Sequence, residues 1–178
     1  QDLDKLSELN IDPAKAKNYA VVVLSDISHF DDETKANFKN LVKNGGIVMI
    51  ADYQDNTDDT IYTNTINIEN NFELKISENF AISKKKMIDH HYFETFDNKF
   101  ETIGSIIYNQ KEYSNLLKWQ PKNAKGFYLY HAEPLYFTNY YLLNQDSYFY
   151  AKSVLQQLKG RTIIWYNPNK TYASSDTS

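Results

Sequence analysis

Two short apolar runs with a helical pattern between them constrain the fold of this chain more than any other feature. The runs are Ala20–Leu24 and Ile47–Ala51, and neither alternates with polar residues. Such runs are typical of strands that are buried on both faces of a sheet. Between them, Asp31-Asp32-Glu33 marks the start of a helix and Gly45-Gly46 marks its end. The segment therefore predicts two parallel strands joined by a right-handed helical crossover.

The rest of the chain predicts further strands and one more helix. Apolar residues at helical spacing within the crossover, Phe38, Leu41 and Val42, are expected to pack on the sheet. Strict alternation in Phe72–Ser77 indicates a half-exposed antiparallel strand, and we interpret residues 61–119 as a β-rich antiparallel insertion. Other expected elements are a short helix through Leu3, Leu6 and Leu9, a helix from near Asp146 to Gly160 that buries Tyr148, Ala151, Leu155 and Leu158, and a third buried strand at Arg161–Tyr166.

Length and composition restrict the possible functions. The 178 residues fit a single α/β domain over residues 1–178, with a polar tail or linker at 173–178. A net charge of -4 argues against nucleic acid as a partner, and the absence of Cys excludes thiolate chemistry and disulfides. No apolar run approaches the roughly 20 residues of a membrane helix. Because the chain begins at Gln1, we expect that a leader or anchor has been removed.

The carboxyl ends of the predicted parallel strands hold the candidate catalytic residues. Ligands of open α/β sheets bind at these ends. Here they carry Ser25, Asp26 and His29 after the first strand and Asp52 after the second. A His between carboxylates can act as a general base, so Asp26, His29 and Asp52 form a candidate hydrolase cluster. The alternative is that these residues only cap turns and the helix start.

Other polar residues are candidates for ligand binding. They follow the predicted strands or lie near them, and they are Tyr53, His131, Glu133, Asn139 and Asn167. His131 and Glu133 lie two positions apart, so a strand would put both on one face, where a third group would complete a metal site. The adjacent His90 and His91 would point to opposite faces of a strand. We therefore expect no metal and no cofactor, with His residues that face solvent.

An aromatic-rich stretch from Phe127 to Tyr150 allows two interpretations. Aromatic rings stack on sugars, which would make this stretch a glycan-binding platform. They also pack well in strands and cores, and we favour this second interpretation. The stretch Lys84-Lys85-Lys86 is expected to be a solvated turn. The chain has neither a Gly-rich phosphate loop nor a G-x-S-x-G elbow.

Two segments together resemble a known family. The first is Tyr19–Ala51. The second runs from Gly126-Phe127-Tyr128-Leu129-Tyr130-His131 through Pro134 and Phe137–Leu143 to Thr162-Ile163-Ile164-Trp165-Tyr166. Together they resemble an uncharacterised bacterial family of membrane-anchored domains related in fold to class I glutamine amidotransferases and often encoded near MoxR-type ATPases.

The resemblance implies a fold and a location rather than a reaction. It implies a flavodoxin-like or class I glutamine-amidotransferase-like sheet, a periplasmic or otherwise extracytoplasmic location, an anchor outside this sequence, and a membrane protein complex or other protein as partner. Amidotransferases need a Cys nucleophile, which this chain lacks, so their activity is not implied. Asn167 stands where the resemblance suggests an acidic residue. The leading hypothesis is thus a non-catalytic domain that binds a protein partner or small ligand.

Overall fold

A computed structural model describes residues 2–3, 11–25, 30–53, 59–77, 79–83, 89–138 and 145–166. The strands are Asp2–Leu3 (β1), Tyr19–Ser25 (β2), Ile47–Asp52 (β3), Tyr62–Asn67 (β4), Phe72–Ile76 (β5), Asn79–Ser83 (β6), Asp89–Thr95 (β7), Glu101–Tyr108 (β8), Lys111–Trp119 (β9), Phe127–His131 (β10) and Thr162–Tyr166 (β11). The α-helices are Asp32–Lys43 (α1) and Gln145–Leu155 (α2). Shorter 3-10 helices span Pro13–Asn18, Pro134–Phe137 and Gln156–Leu158.

A mixed sheet organises the molecule, with strand order β1-β11-β2-β3-β10-β9-β8-β5-β6. The first five strands in this order, from β1 at the edge to β10, are parallel to one another. Every later neighbouring pair, starting with β10 and β9, is antiparallel. The predicted parallel pairing of β2 with β3 is confirmed, and β11 lies in the same sheet as expected. The chain is thus an α/β protein with a mixed sheet.

The two α-helices cover opposite faces of this sheet. On one face, Phe38, Leu41 and Val42 of α1 pack with Val21 of β2 and Val48 of β3, as the helical spacing predicts. On the other face, α2 lies beside β5 and β6, and its buried residues belong to the same core as the remaining side chains of β2 and β3, such as Val22 and Met49. Both faces of β2 and β3 are therefore buried, which explains their continuous apolar runs.

The β-rich segment between β3 and β10 has two structural roles. Four of its strands, β5, β6, β8 and β9, extend the main sheet beyond β10. The other two, β4 and β7, form a separate two-stranded ribbon. β7 lies beside β9, where the rings of Tyr92 and Tyr113 are 4.9 Å apart. The ribbon therefore belongs to the insertion but lies outside the main sheet.

Three details of the sequence interpretation are wrong. Leu3 lies in β1, which pairs with β11, and not in a helix; residues 4–10 are outside the described part of the chain. The helix near the C-terminus buries Tyr150, Ala151, Val154 and Leu158, whereas Tyr148 is 49% exposed. Only Ile164 is buried in β11, because a two-residue strand is its neighbour on the outer side.

Candidate functional site

Several polar residues lie at the carboxyl edge of the parallel strands, with Ser25 and Asp52 on one face of the sheet and His131, level with Ala51, on the other. Ser25 at the end of β2 lies opposite Asp52 at the end of β3. Ala51 of β3 lies opposite His131 at the end of β10. Ser25, Asp52 and His131 are all buried. The predicted partners Asp26 and His29 lie outside the described residues, so their approach to Asp52 remains a prediction. Asn139 and Asn167, the predicted ligand-binding residues, also lie outside the described residues.

His131 is held inside the protein by bonds to both ring nitrogens. Its Nδ1 accepts a hydrogen bond of 2.9 Å from the Glu133 N–H. The hydrogen of the neutral ring therefore belongs on Nε2, which donates to the Tyr150 hydroxyl at 2.7 Å. Burial lowers the pKa of His131 to about 3, so the ring is neutral at physiological pH. Neither nitrogen is left to bind a metal or to take a proton from a substrate.

The Tyr150 hydroxyl connects His131 to a buried amide on β9. Asn115 Nδ2 lies 3.2 Å from this hydroxyl, and burial raises the pKa of Tyr150. Asn115 Oδ1 is buried without a hydrogen-bond partner among the described residues. The opposite amide orientation would let Oδ1 accept the Tyr150 hydrogen. In both orientations the chain of contacts ends inside the core.

Glu133 joins the end of β10 to the ribbon. Its side chain is fully buried, and its Oε1 accepts from His91 Nδ1 at 2.8 Å and from the His91 backbone N–H at 3.3 Å. Its Oε2 accepts from the Leu135 N–H at 3.4 Å, which caps the 3-10 helix Pro134–Phe137. The carboxylate thus fixes the position of β7 and the start of the following helix together.

His91 is the member of this group that reaches solvent. Its side chain is 25% exposed, and its ring centroid lies 4.2 Å from that of Tyr53, just after β3. The Tyr53 carbonyl in turn accepts from the Thr63 hydroxyl of β4 at 2.9 Å. The ribbon is therefore attached to the ends of both β3 and β10.

His90 faces the opposite side of β7 and is fully buried. Its Nδ1 lies 2.5 Å from the Tyr136 hydroxyl, and its ring centroid lies 4.5 Å from that of Phe72. Its Nε2 has no hydrogen-bond partner among the described residues. Burial, and then the neighbouring His91, lower the pKa of His90 to about 4. His90 and His91 together attach the ribbon to the segment 133–136 from two sides.

The His residues show where the sequence interpretation succeeds and where it is wrong. His90 and His91 point to opposite sides, as predicted. The expectation that His residues face solvent is wrong, because His90 and His131 are buried in aromatic surroundings. His131 and Glu133 do not share a strand face, because β10 ends at His131 and the chain turns there. In the described ranges, no group of three or more His, Asp or Glu residues is arranged to hold a metal.

Among the described residues, the aromatic-rich stretch is mostly core, and Tyr140 and Tyr141 lie outside them. Tyr128, Tyr130, Tyr136, Phe137 and Tyr150 are buried, and Phe127 is partly buried. Phe149, which the core interpretation expected to be buried, is 51% exposed beside Tyr148. Sequence reasoning did not find the roles of Tyr136, Tyr150 and Asn115, because their partners lie on other elements.

Comparisons with known proteins identify the fold only. No protein-family profile matches the chain, and no curated protein sequence matches it. Among solved structures, the chain is similar to the mmIFT52 N-terminal domain, with a TM-score of 0.59 and 12% sequence identity over 83% of this chain and 80% of that one. This similarity supports an α/β domain of the same general architecture. Within the described residues, none of the helices has the length and apolar character needed to cross a membrane.

Proposed function

We propose that this chain is a non-catalytic domain that binds a protein partner or a small ligand. In this proposal it belongs to a membrane-anchored bacterial protein and works outside the cytoplasm. The location and the anchor rest on the family resemblance of Tyr19–Ala51 and of the Gly126–Tyr166 segments. The same resemblance suggests that the sheet is of the flavodoxin-like or class I glutamine-amidotransferase-like type, with a membrane protein complex as partner.

The observation that best supports a non-catalytic role is the hydrogen bonding of Glu133 and His131. A general acid or base must reach the proton it transfers. Both ring nitrogens of His131 have partners inside the protein, and each oxygen of Glu133 accepts at least one hydrogen bond. Buried polar groups that satisfy one another stabilise a fold and have no capacity left for substrate. Glu133 therefore serves to hold the ribbon, and His131 serves to hold Tyr150 of α2 and the turn after β10.

An activity screen tests the absence of catalysis. The purified chain is incubated with ester, amide and glycoside substrates, alongside Ser25→Ala and His29→Ala variants whose melting temperatures match the wild type. We expect the same background rate in all three proteins. Turnover by the wild type that disappears in both variants would refute the non-catalytic proposal.

The proposed location can be tested through the absence of Cys. Lys39 lies on the exposed side of α1, so Lys39→Cys introduces a single accessible thiol in this domain. In cells that express the full-length protein, a membrane-impermeant maleimide should label this variant without lysis. Labelling that requires lysis, as for a cytoplasmic control protein, would contradict an extracytoplasmic location.

One observation favours a second candidate function, hydrolysis by a base at His91. Glu133 Oε1 lies 2.8 Å from His91 Nδ1, and the His91 ring is partly exposed. A carboxylate that accepts from Nδ1–H leaves Nε2 free of its proton, as a general base requires. This alternative predicts turnover that His91→Ala abolishes and that Ser25→Ala leaves unchanged.

A further inference from the structure

The ribbon has an inner strand and an outer strand. The His91 N–H of β7 is bonded to Glu133, so it points away from β4. His91 lies opposite Thr65 of β4. Residues that face each other in an antiparallel pair either exchange both hydrogen bonds or direct both N–H groups outward. The Thr65 N–H therefore faces the outer edge of β4, and alternation puts the amides of Thr63 and Asn67 there too.

This outer edge has no paired strand among the described residues. The Thr65 N–H is instead bonded at 2.8 Å to the side chain of its own neighbour, Asn64. That contact is local and exposed, so an incoming strand can replace it. The edge is thus a row of backbone groups in position for another strand.

β4 lacks the side chains that usually protect an edge strand, and the ribbon has a single register shift, between Tyr62 and Thr63 at the start of β4. Exposed edges normally carry Lys, Pro or inward-pointing charges that prevent pairing. β4 reads Tyr-Thr-Asn-Thr-Ile-Asn, without charge or Pro and with four residues that favour strands. Tyr62 at its start is 62% exposed and offers an aromatic ring beside the edge. Aromatic side chains of this kind are frequent anchors in protein interfaces.

The charges of the described residues around the ribbon indicate which strand would fit. Exposed carboxylates lie at both ends of β4: Asp59 and Glu94 near Tyr62, and Glu69 and Asp89 near Asn67. A second copy of this chain would bring these acids towards each other. A segment with Lys or Arg at its ends would pair with them instead.

We propose that β4 is a docking site for an extended, basic segment of a partner protein, which adds to the ribbon as a third strand. Backbone hydrogen bonds to Thr63, Thr65 and Asn67 would supply affinity, and the flanking acids would select basic segments. This inference depends on the proposed binding function and specifies the chemistry of the partner.

A defined peptide pair tests the proposal. The probes are two blocked hexapeptides, acetyl-Lys-Thr-Val-Thr-Val-Lys-amide and the same peptide with Glu in place of Lys. Each is titrated to about 2 mM into the isotope-labelled chain while backbone amide shifts are followed. We expect the basic peptide to shift the amides of Thr63, Thr65 and Asn67 and to bind at least about tenfold more tightly than the acidic peptide.

Matched variants separate edge pairing from general attraction. Thr65→Pro removes the outward N–H without removing a hydrogen bond to β7. It should weaken the binding of the basic peptide at least about tenfold. Thr65→Val keeps the N–H and a β-branched side chain, and should bind as the wild type does. If Thr65→Pro fails to fold, Asp59→Lys with Glu69→Lys serves instead, and should reverse the preference towards the acidic peptide.

Several results would overturn the proposal. They are the absence of amide shifts on β4, equal binding of the two peptides, and equal binding by the Thr65→Pro and Thr65→Val variants. Sedimentation that shows a dimer lost in Thr65→Pro would identify a second copy as the occupant, which also overturns it. Turnover in the substrate screen would refute the non-catalytic proposal without changing the peptide result, so the two failures are distinguishable.

Discussion

Phe137 and Phe149 belong to the same aromatic-rich stretch, but their surroundings differ. Phe137 is 7% exposed and its ring lies 4.9 Å from that of His131, whereas Phe149 is 51% exposed on α2. Phe137→Ala should lower the free energy of unfolding by about 3–5 kcal/mol, because it leaves a cavity in the core. Phe149→Ala should change it by less than about 0.5 kcal/mol. Urea denaturation of both variants checks this, and equal losses would contradict it.

The two buried His residues predict a loss of stability in acid. An unfolded His has a pKa near 6.5. Burial lowers the folded pKa of His90 to about 4 and that of His131 to about 3. As the pH falls below about 6.5, the unfolded chain takes up protons that the folded chain excludes, so stability falls until the folded pKa is reached.

The contribution of His90 can be isolated by comparing slopes. His90→Gln keeps a polar side chain beside Tyr136 but removes the titration. Between pH 6 and 4.5, each buried His contributes a slope of up to about 1.4 kcal/mol per pH unit. Unfolding free energies measured across this window should therefore depend less steeply on pH in the variant. Parallel curves for the two proteins would contradict this prediction.

For single residues, the sequence revealed the direction of some side chains but not their partners. The alternation of a strand was enough to place His90 and His91 on opposite sides. It could not reveal that Tyr136 and Glu133 would meet them, because those contacts depend on how distant elements pack. The burial of His131 against Tyr150 was missed for the same reason.

Among the elements, the junction of α1 with β10 depends on a close backbone contact. The Gly126 N–H donates to the Val42 carbonyl at 2.9 Å, near the end of α1. A Cβ on Gly126 would lie 1.8 Å from the Gly46 carbonyl oxygen, so only Gly fits there. Gly126→Ala should cost at least about 3 kcal/mol or prevent folding. Thermal melting measures this, and a melting temperature equal to that of the wild type would show that the backbones can separate.

The attachment of the ribbon predicts a local effect. Glu133→Ala removes the acceptor for the partly buried His91 and Leu135 N–H groups, and unsatisfied donors of this kind cost about 1–3 kcal/mol. Amide hydrogen exchange should become faster in β4 and β7 and stay unchanged in β2 and β3. The control is Glu112→Ala, which removes only an exposed ion pair with Lys75. Uniform acceleration across all strands would show that Glu133 stabilises the whole fold instead.

The predictability of the elements follows from the range of their interactions. α1 begins after Asp31, whose carboxylate accepts from the Thr34 N–H at 2.7 Å, and such a cap is visible in sequence. β2 and β3 are visible because both faces are apolar. The separation of β4 and β7 from the main sheet was not visible, because alternation does not specify which strand is the neighbour.

For the whole molecule, we expect that no transition metal binds stoichiometrically. The ring nitrogens of His131 are already bonded, and His90 faces the Phe72 ring. Elemental analysis of the purified chain should find well under one zinc per molecule. About one zinc per chain, lost in His131→Ala or Glu133→Ala, would contradict this expectation.

The pairing of β11 with β2 has a consequence for the order of folding. Arg161, just before β11, donates to the Lys17 carbonyl, 144 residues earlier. In contrast, β8 and β9 are joined by the two-residue turn Asn109-Gln110, where both φ angles are positive, as a tight hairpin turn requires. Long loops close late because of their entropy. We therefore expect the hairpin to form early during refolding, while β11 joins β2 only after nearly the entire polypeptide is in place, which leaves the edge of the apolar strand β2 temporarily exposed to aggregation.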